Sequence, residues 1–151
     1  MFPLEGVDLS IQEMLPLKEG LRATTTNLTD LSIRDCRFMV SYCGIGMPEL
    51  ASGLKQNTSL RSLRLRDSKL ADSQIAELVE GLISHPSLKE LLLDGDDGNG
   101  TETLKELAKL LAENCELETL EYWGGGGLAS HMFILADGLK CHKSLKNLNL
   151  S

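Results

Sequence analysis

The stretch from Leu60 to Leu70, LRSLRLRDSKL, decides the fold. Its leucines at Leu60, Leu63 and Leu65 follow the spacing L-x-x-L-x-L. The spacing returns as Leu28, Leu31 and Ile33, as Leu88, Leu91 and Leu93, as Leu117, Leu120 and Tyr122, and as Leu145, Leu148 and Leu150. The first members stand 32, 28, 29 and 28 residues apart (28 to 60, 60 to 88, 88 to 117, 117 to 145). A self-similar period in this range marks a solenoid, in which each unit buries its apolar face against the next.

Between triplets the apolar period becomes helical. In the second unit Ile75, Leu78, Val79 and Leu82 share one face of a helix expected from Asp72 to Ser84, stopped by Pro86. The first unit has a strand from Leu28 to Arg34, then Cys36, a longer loop with Gly44 and Gly46, and a helix from Met47 to Gln56. Its four extra residues fall in that loop, where insertions are tolerated. The third has a loop from Gly95 to Gly100 and a helix from Thr101 to Asn114 burying Leu104, Leu107, Leu110 and Leu111. The fourth replaces the loop with Gly124 to Gly127 and has a helix from Ala129 to Cys141 burying Met132, Leu135 and Leu139. Residues 145–151 open a fifth strand. Residues 1–27 form an N-terminal cap or degenerate repeat: Leu4, Val7 and Leu9 carry the strand spacing weakly, Ser10 and Glu13 make a capping box, and Pro16 kinks the helix that follows. The reading is one domain over residues 1–151.

Each unit is strand, turn, helix, turn, which requires a right-handed crossover. Strands sit about 4.8 Å apart and helices about 8–10 Å apart, so the stack must curve. The expected fold is a right-handed α/β solenoid, a horseshoe segment with a parallel sheet on the concave face and helices on the convex face.

With the repeats aligned, the chain resembles the ribonuclease-inhibitor type of leucine-rich repeat. The alternating 28- and 29-residue lengths fit, as does Gly-Leu six residues before a new triplet at Gly53-Leu54, Gly81-Leu82 and Gly138-Leu139, with Leu110-Leu111 as a variant. The family often places Asn or Cys at the turn after the strand; here that place holds Cys36, Ser68, Asp96 and Gly125, and only Cys36 matches. The resemblance implies a non-enzymatic protein-binding surface. Members include nuclease inhibitors, activators of a nuclear-transport GTPase, actin-filament cappers and immune-sensor arrays.

Bulk properties narrow the function. The chain has 151 residues, 42% of them apolar and only 4% aromatic, so leucine fills the core. A net charge of −7 argues against nucleic acid, which requires a basic face. The four cysteines, Cys36, Cys43, Cys115 and Cys141, show no zinc spacing and read as free thiols of a reducing compartment, cytoplasmic or nuclear. No signal peptide or membrane-length apolar run is present, so the Asn-x-Ser/Thr triplets at Asn27, Asn57, Asn99 and Asn149 read as chance.

Strand alternation puts the residues between the leucines on the concave wall. Three rows result: Asp30, Ser62, Glu90, Thr119 and Asn147; Ser32, Arg64, Leu92, Glu121 and Asn149; Arg34, Arg66, Asp94 and Trp123. Arg34, Arg64 and Arg66 make a basic patch beside acidic Glu90, Asp94 and Glu121, with Leu92 and Trp123 exposed among them. Trp and Arg dominate interface hot spots. The partner-binding candidates are therefore Arg34, Arg64, Arg66, Leu92, Asp94, Glu121 and Trp123. The plainer alternative is that strands neutralise each other, Arg66 with Asp94 and Arg64 with Glu90. The loop from Asp94 to Gly100 fails the calcium-loop pattern, Gly124 to Gly127 lacks the Gly-Lys-Ser/Thr of a phosphate loop, and His85, His131 and His142 read as surface histidines. No metal, cofactor or catalytic residue is expected. The expected function is protein binding on the concave face; the alternatives are regulation of a small GTPase and a structural role in a larger assembly or immune-sensor-type array. The last strand, with its core leucines half covered, is expected to be covered by further repeats or by another chain.

Overall fold

The computed structural model describes residues 2–5, 8–9, 11–23, 27–34, 37–38, 46–95, 100–124 and 131–151. Ser10, Cys36, Cys43, Gly44, Asp96 to Asn99 and Gly125 to Ala129 lie outside them. In chain order the elements are β1 (Phe2–Glu5), β2 (Asp8–Leu9), α1 (Ile11–Arg22), β3 (Asp30–Arg34), β4 (Arg37–Phe38), α2 (Gly46–Gln56), β5 (Ser62–Leu70), α3 (Asp72–Glu80), β6 (Glu90–Gly95), α4 (Thr101–Glu113), β7 (Thr119–Trp123), a 3-10 turn (Met132–Leu135), α5 (Ala136–Cys141) and β8 (Asn147–Leu150).

Six strands form one parallel sheet in the order β1-β3-β5-β6-β7-β8, and β2 pairs with β4. The leucine triplets set the register. Leu31, Leu63, Leu91, Leu120 and Leu148 are aligned across the sheet, as are Ile33, Leu65, Leu93, Tyr122 and Leu150. The first leucine of each triplet precedes its strand and turns into the core; Leu60, Leu88 and Leu117 are fully buried. Burying a leucine contributes about 1.5–3 kcal/mol, so these aligned rows are the main stabilising feature. β1 joins the sheet through Phe2 opposite Leu31 and Leu4 opposite Ile33. The first unit thus supplies an in-register strand whose leucine takes the third triplet position.

The Gly-Leu pairs have a steric cause. A Cβ on Gly53 would lie 3.1 Å from the Lys18 backbone, one on Gly81 2.8 Å from the Ala51 carbonyl oxygen, and one on Gly138 2.5 Å from the Ala108 carbonyl oxygen. Each glycine sits where its helix or closing turn meets the previous helix backbone. This approach also bears on α3, which stops at Glu80 rather than Ser84, residues 81–84 forming turns. The last unit differs from expectation too: a 3-10 turn precedes the short α5, although Leu135 is still fully buried.

Helix starts are tied across repeats. Gly100, in the left-handed conformation, precedes α4 without a capping side chain of its own. The Asp72 carboxylate of α3 accepts the Glu102 and Thr103 amides instead, each at 2.9 Å, and the Thr103 hydroxyl donates to the Asp72 carbonyl at 3.0 Å. Tyr122 fills a leucine position, 1% exposed, and burial raises its pKa.

Candidate partner-binding groove on the strand face

The strand face is shaped by an irregularity in β5. Its ladder with β6 runs from Ser62–Glu90 to Leu65–Leu93, breaks, and resumes at Leu70–Gly95. Five residues of β5 therefore advance against two of β6, a bulge in place of the simple turn expected near Ser68. Asp67 within it has φ 54°, in the region few non-glycine residues adopt but Asp tolerates. Its amide donates to Asp94 Oδ2 at 3.0 Å.

This bulge changes the expected charge pairing. Arg66 stays opposite Arg34 but loses register with Asp94, whose carboxylate is engaged by the Asp67 amide. Arg66 reaches over β6 to β7, where its guanidinium lies 3.7 Å from Glu121 Oε2 and 5.0 Å from the Trp123 ring centroid. Arg64 pairs with Glu90 as the strand order suggests: Nη2 lies 2.8 Å and 3.0 Å from the two carboxylate oxygens, and the Ser62 hydroxyl donates to the same carboxylate at 3.0 Å. The hydrogen bond to Glu90 raises the Arg64 pKa, so this guanidinium stays charged.

Arg34, Arg66, Asp67, Asp94 and Trp123 together line a groove of about 340 Å³. Four of the seven candidates meet there, and Arg64 and Glu121 stand beside it in their ion pairs. Leu92 is a correction. It is 4% exposed rather than open to a partner. It lies in register between Arg64 and Glu121, and the Arg66–Glu121 link, joining strands that are not neighbours, passes over β6. Asp67 is a groove residue the candidate set lacked. An Asp two residues past the last leucine of the triplet, able to adopt positive φ, is the only local signal of its role.

A second set of residues, at the turns that enter the strands, went unrecognised, and of these His85 was taken for a surface histidine. Asn57, His85, Asn114 and His142 recur every 28, 29 and 28 residues (57 to 85, 85 to 114, 114 to 142), three before each triplet. Asn57 Oδ1 accepts the Ser59 and Leu60 amides at 2.9 and 2.7 Å, and its amide donates to the Leu21 carbonyl at 2.7 Å. Asn114 repeats this with Glu116, Leu117 and the His85 carbonyl. His85 is 5% exposed, not a surface residue, and burial pushes its pKa down to about 4. Its Nδ1 accepts the Ser87 amide at 3.4 Å, and its buried Nε2 has no hydrogen-bond partner. These side chains fix the entry into each strand. Ser59 and Ser87 add bonds from their hydroxyls to carbonyls of the preceding unit.

Stacked parallel strands, each followed by a helix and each built on the same leucine spacing, set the frame for comparison. Over 132 residues the chain is 33% identical to NACHT, LRR and PYD domains-containing protein 12 of Homo sapiens, matching 82% of this chain and 11% of that protein. Over 162 aligned positions it is 26% identical to the ribonuclease inhibitor of Sus scrofa, matching 87% of this chain and 34% of that protein. It is a leucine-rich repeat protein of the ribonuclease-inhibitor-like type. The leucine-rich repeat segment thus spans about a tenth of the first relative and about a third of the second. No protein-family profile matches the chain. Among the described residues no helix is long and apolar enough to cross a membrane.

Proposed function

We propose that this leucine-rich repeat chain is a non-enzymatic interaction module that binds a protein partner in the groove of its strand face. One observation carries the reading: Trp123, Arg66, Arg34, Asp94 and Asp67 come from three strands and a bulge to line a single groove. It holds the two residue types most enriched among interface hot spots, Trp and Arg. Arg64 and Glu121 form the rim. Both relatives carry the same kind of repeat, and one of them is a ribonuclease inhibitor. A reducing location, cytoplasmic or nuclear, suits the free thiols of Cys115 and Cys141. The outer edge of β8 suits a further strand, from a neighbouring repeat or another chain. Leu148 there is 41% exposed, whereas Leu31, Leu63, Leu91 and Leu120 of the same row are at most 1% exposed.

Quantitative affinity capture from cell extract tests the groove, using wild type, Trp123→Ala with Arg66→Glu, and Lys105→Glu on exposed α4 as a control. The groove variant should lose the bound partner and the control should keep it. A lost hot spot weakens binding by at least about 2 kcal/mol, roughly 30-fold. Retention of the partner by the groove variant, with loss in the control, overturns the proposal.

A further inference from the structure

The turn that enters β6 is built differently from those entering β5 and β7. Asn57 and Asn114 each accept two backbone amides and donate to a carbonyl of the preceding unit, at 2.7 to 3.1 Å. His85 stands between them in the series and is 5% exposed, yet it accepts one amide only, that of Ser87, at 3.4 Å. Its Nε2 is buried and has no hydrogen-bond partner. The turn is tied to the preceding unit by the Ser87 hydroxyl, which donates to the Thr58 and Leu60 carbonyls at 2.7 and 3.3 Å, and by the Lys89 and Glu90 amides on the Arg61 carbonyl.

This geometry sets the charge of the ring. A ring nitrogen that accepts an amide proton carries none of its own, so Nε2 holds the single proton and the imidazole is neutral. A second proton must enter at Nδ1, where it turns the acceptor for Ser87 into a donor that points at the Ser87 N–H. It also leaves a cation buried without a counter-charge. The charged and titratable groups on the surrounding elements are Lys55 at the end of α2, Glu80 in α3, Lys89, Glu113, Cys115 and Glu116, with Lys89 committed to Glu118. None of them offsets the cost: burial alone lowers the His85 pKa, to about 4. His142, the other histidine of the series, is a contrast. Both of its ring nitrogens face carbonyl oxygens, of Leu111 and Leu117, at 2.9 and 2.8 Å, so a second ring proton there breaks no bond.

We propose that His85 is a proton-operated latch: once protonated it leaves its buried place, and the turn over residues 85–90 opens while the rest of the solenoid stays stacked. Opening releases the Ser87, Lys89 and Glu90 amides and uncovers Leu88, which is fully buried when the turn is closed. The equivalent turns at Asn57 and Asn114 have no ring to titrate and stay closed. In the open turn the imidazole takes up its proton at the ordinary 6.5, in the closed turn only near 4, so acid favours the open form. Lowering the pH from 7 to 5 makes opening about 20-fold easier. That interval lies above the range, about 4, in which carboxylates ordinarily take up protons.

Amide hydrogen exchange of the full chain, followed by NMR at pH 7 and pH 5 and corrected for the intrinsic pH dependence of exchange, tests the latch. Protection of the Ser87, Lys89 and Glu90 amides should fall about 20-fold, while that of Leu60 and Leu117, bound by Asn57 and Asn114, should change by less than about twofold. His85→Asn should unfold at or above the wild-type temperature at pH 7 and should lose the pH effect at the three amides. In the wild type, nitrogen NMR of the His85 ring should show a lone proton on Nε2 at both pH values. A charged His85 ring in the closed chain at pH 5, an equal fall at Leu60 and Leu117, unchanged protection at Ser87, Lys89 and Glu90, or the same fall in His85→Asn would each overturn the proposal.

Discussion

Asp72 belongs to the first turn of α3 but stabilises the next helix. Its carboxylate accepts the amides of Glu102 and Thr103, the two that an N-cap residue of α4 would otherwise serve, and Gly100 has no side chain to replace it. Asp72→Ala removes both acceptors. The Glu102 amide, at an exposed position, can turn to water. Thr103 is fully buried, so its amide is left without a partner, at about 1–3 kcal/mol. Loss of the cap and of a negative charge at the helix N-terminus adds about 1 kcal/mol. The sum, about 2–4 kcal/mol, lowers a urea midpoint by roughly 1–2 M at a slope of about 2 kcal/mol/M, with the slope unchanged. Asp72→Asn keeps one carbonyl acceptor and should lose about half as much. Hydrogen exchange should speed up first at Glu102, Thr103 and Leu104. An alanine variant within about 0.5 kcal/mol of wild type, or alanine and asparagine variants of equal stability, would refute the assignment, since surface substitutions without a structural role usually fall in that range.

The remaining predictions address packing and titration. Gly81→Ala drives a Cβ to within 2.8 Å of the Ala51 carbonyl oxygen and should destabilise the chain by about 1–3 kcal/mol, whereas Gly20→Ala, with open space around it, should raise the thermal midpoint slightly. His85 gives a pH dependence. Its folded pKa, about 4, lies below the unfolded value of 6.5, so the unfolded chain takes up the proton first as pH falls. Stability from this site is complete above about pH 6.5 and declines towards pH 4 by at most about 3 kcal/mol. Denaturant midpoints at pH 7 and pH 4.5 should show the decline in wild type and a smaller one in His85→Asn, which restores the residue type of Asn57 and Asn114. The Glu118 carboxyl is held at about 2 by hydrogen bonds from Lys146 and Lys89. Carbon NMR should find its midpoint there, and Lys146→Ala should move it up towards the ordinary carboxylate range.

The fold was legible because its cause is local and repeated. Period-two leucines specify a strand with one buried face, and the pairs Leu63 and Leu65, Leu91 and Leu93, and Leu120 and Tyr122 occupy the register their spacing demands. The groove was legible only as rows. Which row residues touch depends on the bulge at Arg66 and Asp67, which rests on the Asp94 carboxylate 27 residues away. Leu92 was misplaced for the same reason: alternation gives the direction of a side chain, while its exposure depends on the long residues beside it. The cap on α4 escaped because capping rules look just before a helix, where Gly100 stands, and not one repeat earlier at Asp72. The turn residues Asn57, His85, Asn114 and His142 carried a clear period, hidden because two residue types share it. Asparagine and histidine can both offer a side-chain acceptor to the backbone amides that enter a strand, and at Asn57, Asn114 and His85 that shared property is used.

The groove's internal ion pairs bear directly on how it could bind. Arg64–Glu90 and Arg66–Glu121 join different strands, so these side chains are held before any partner arrives. A preordered surface loses less side-chain entropy on binding. A partner that needs the Arg66 charge must draw it from Glu121, whereas one that packs on the Arg66–Trp123 stack leaves the ion pair in place. Glu121→Gln separates the two. Tighter binding of the captured partner in this variant means that the guanidinium charge is recognised. Unchanged binding, together with loss in Trp123→Ala, means that the stacked face is the contact and that Glu121 serves to hold it in position. Weaker binding in Glu121→Gln would show instead that this carboxylate is itself touched by the partner, moving the centre of the interface from β5 towards β7.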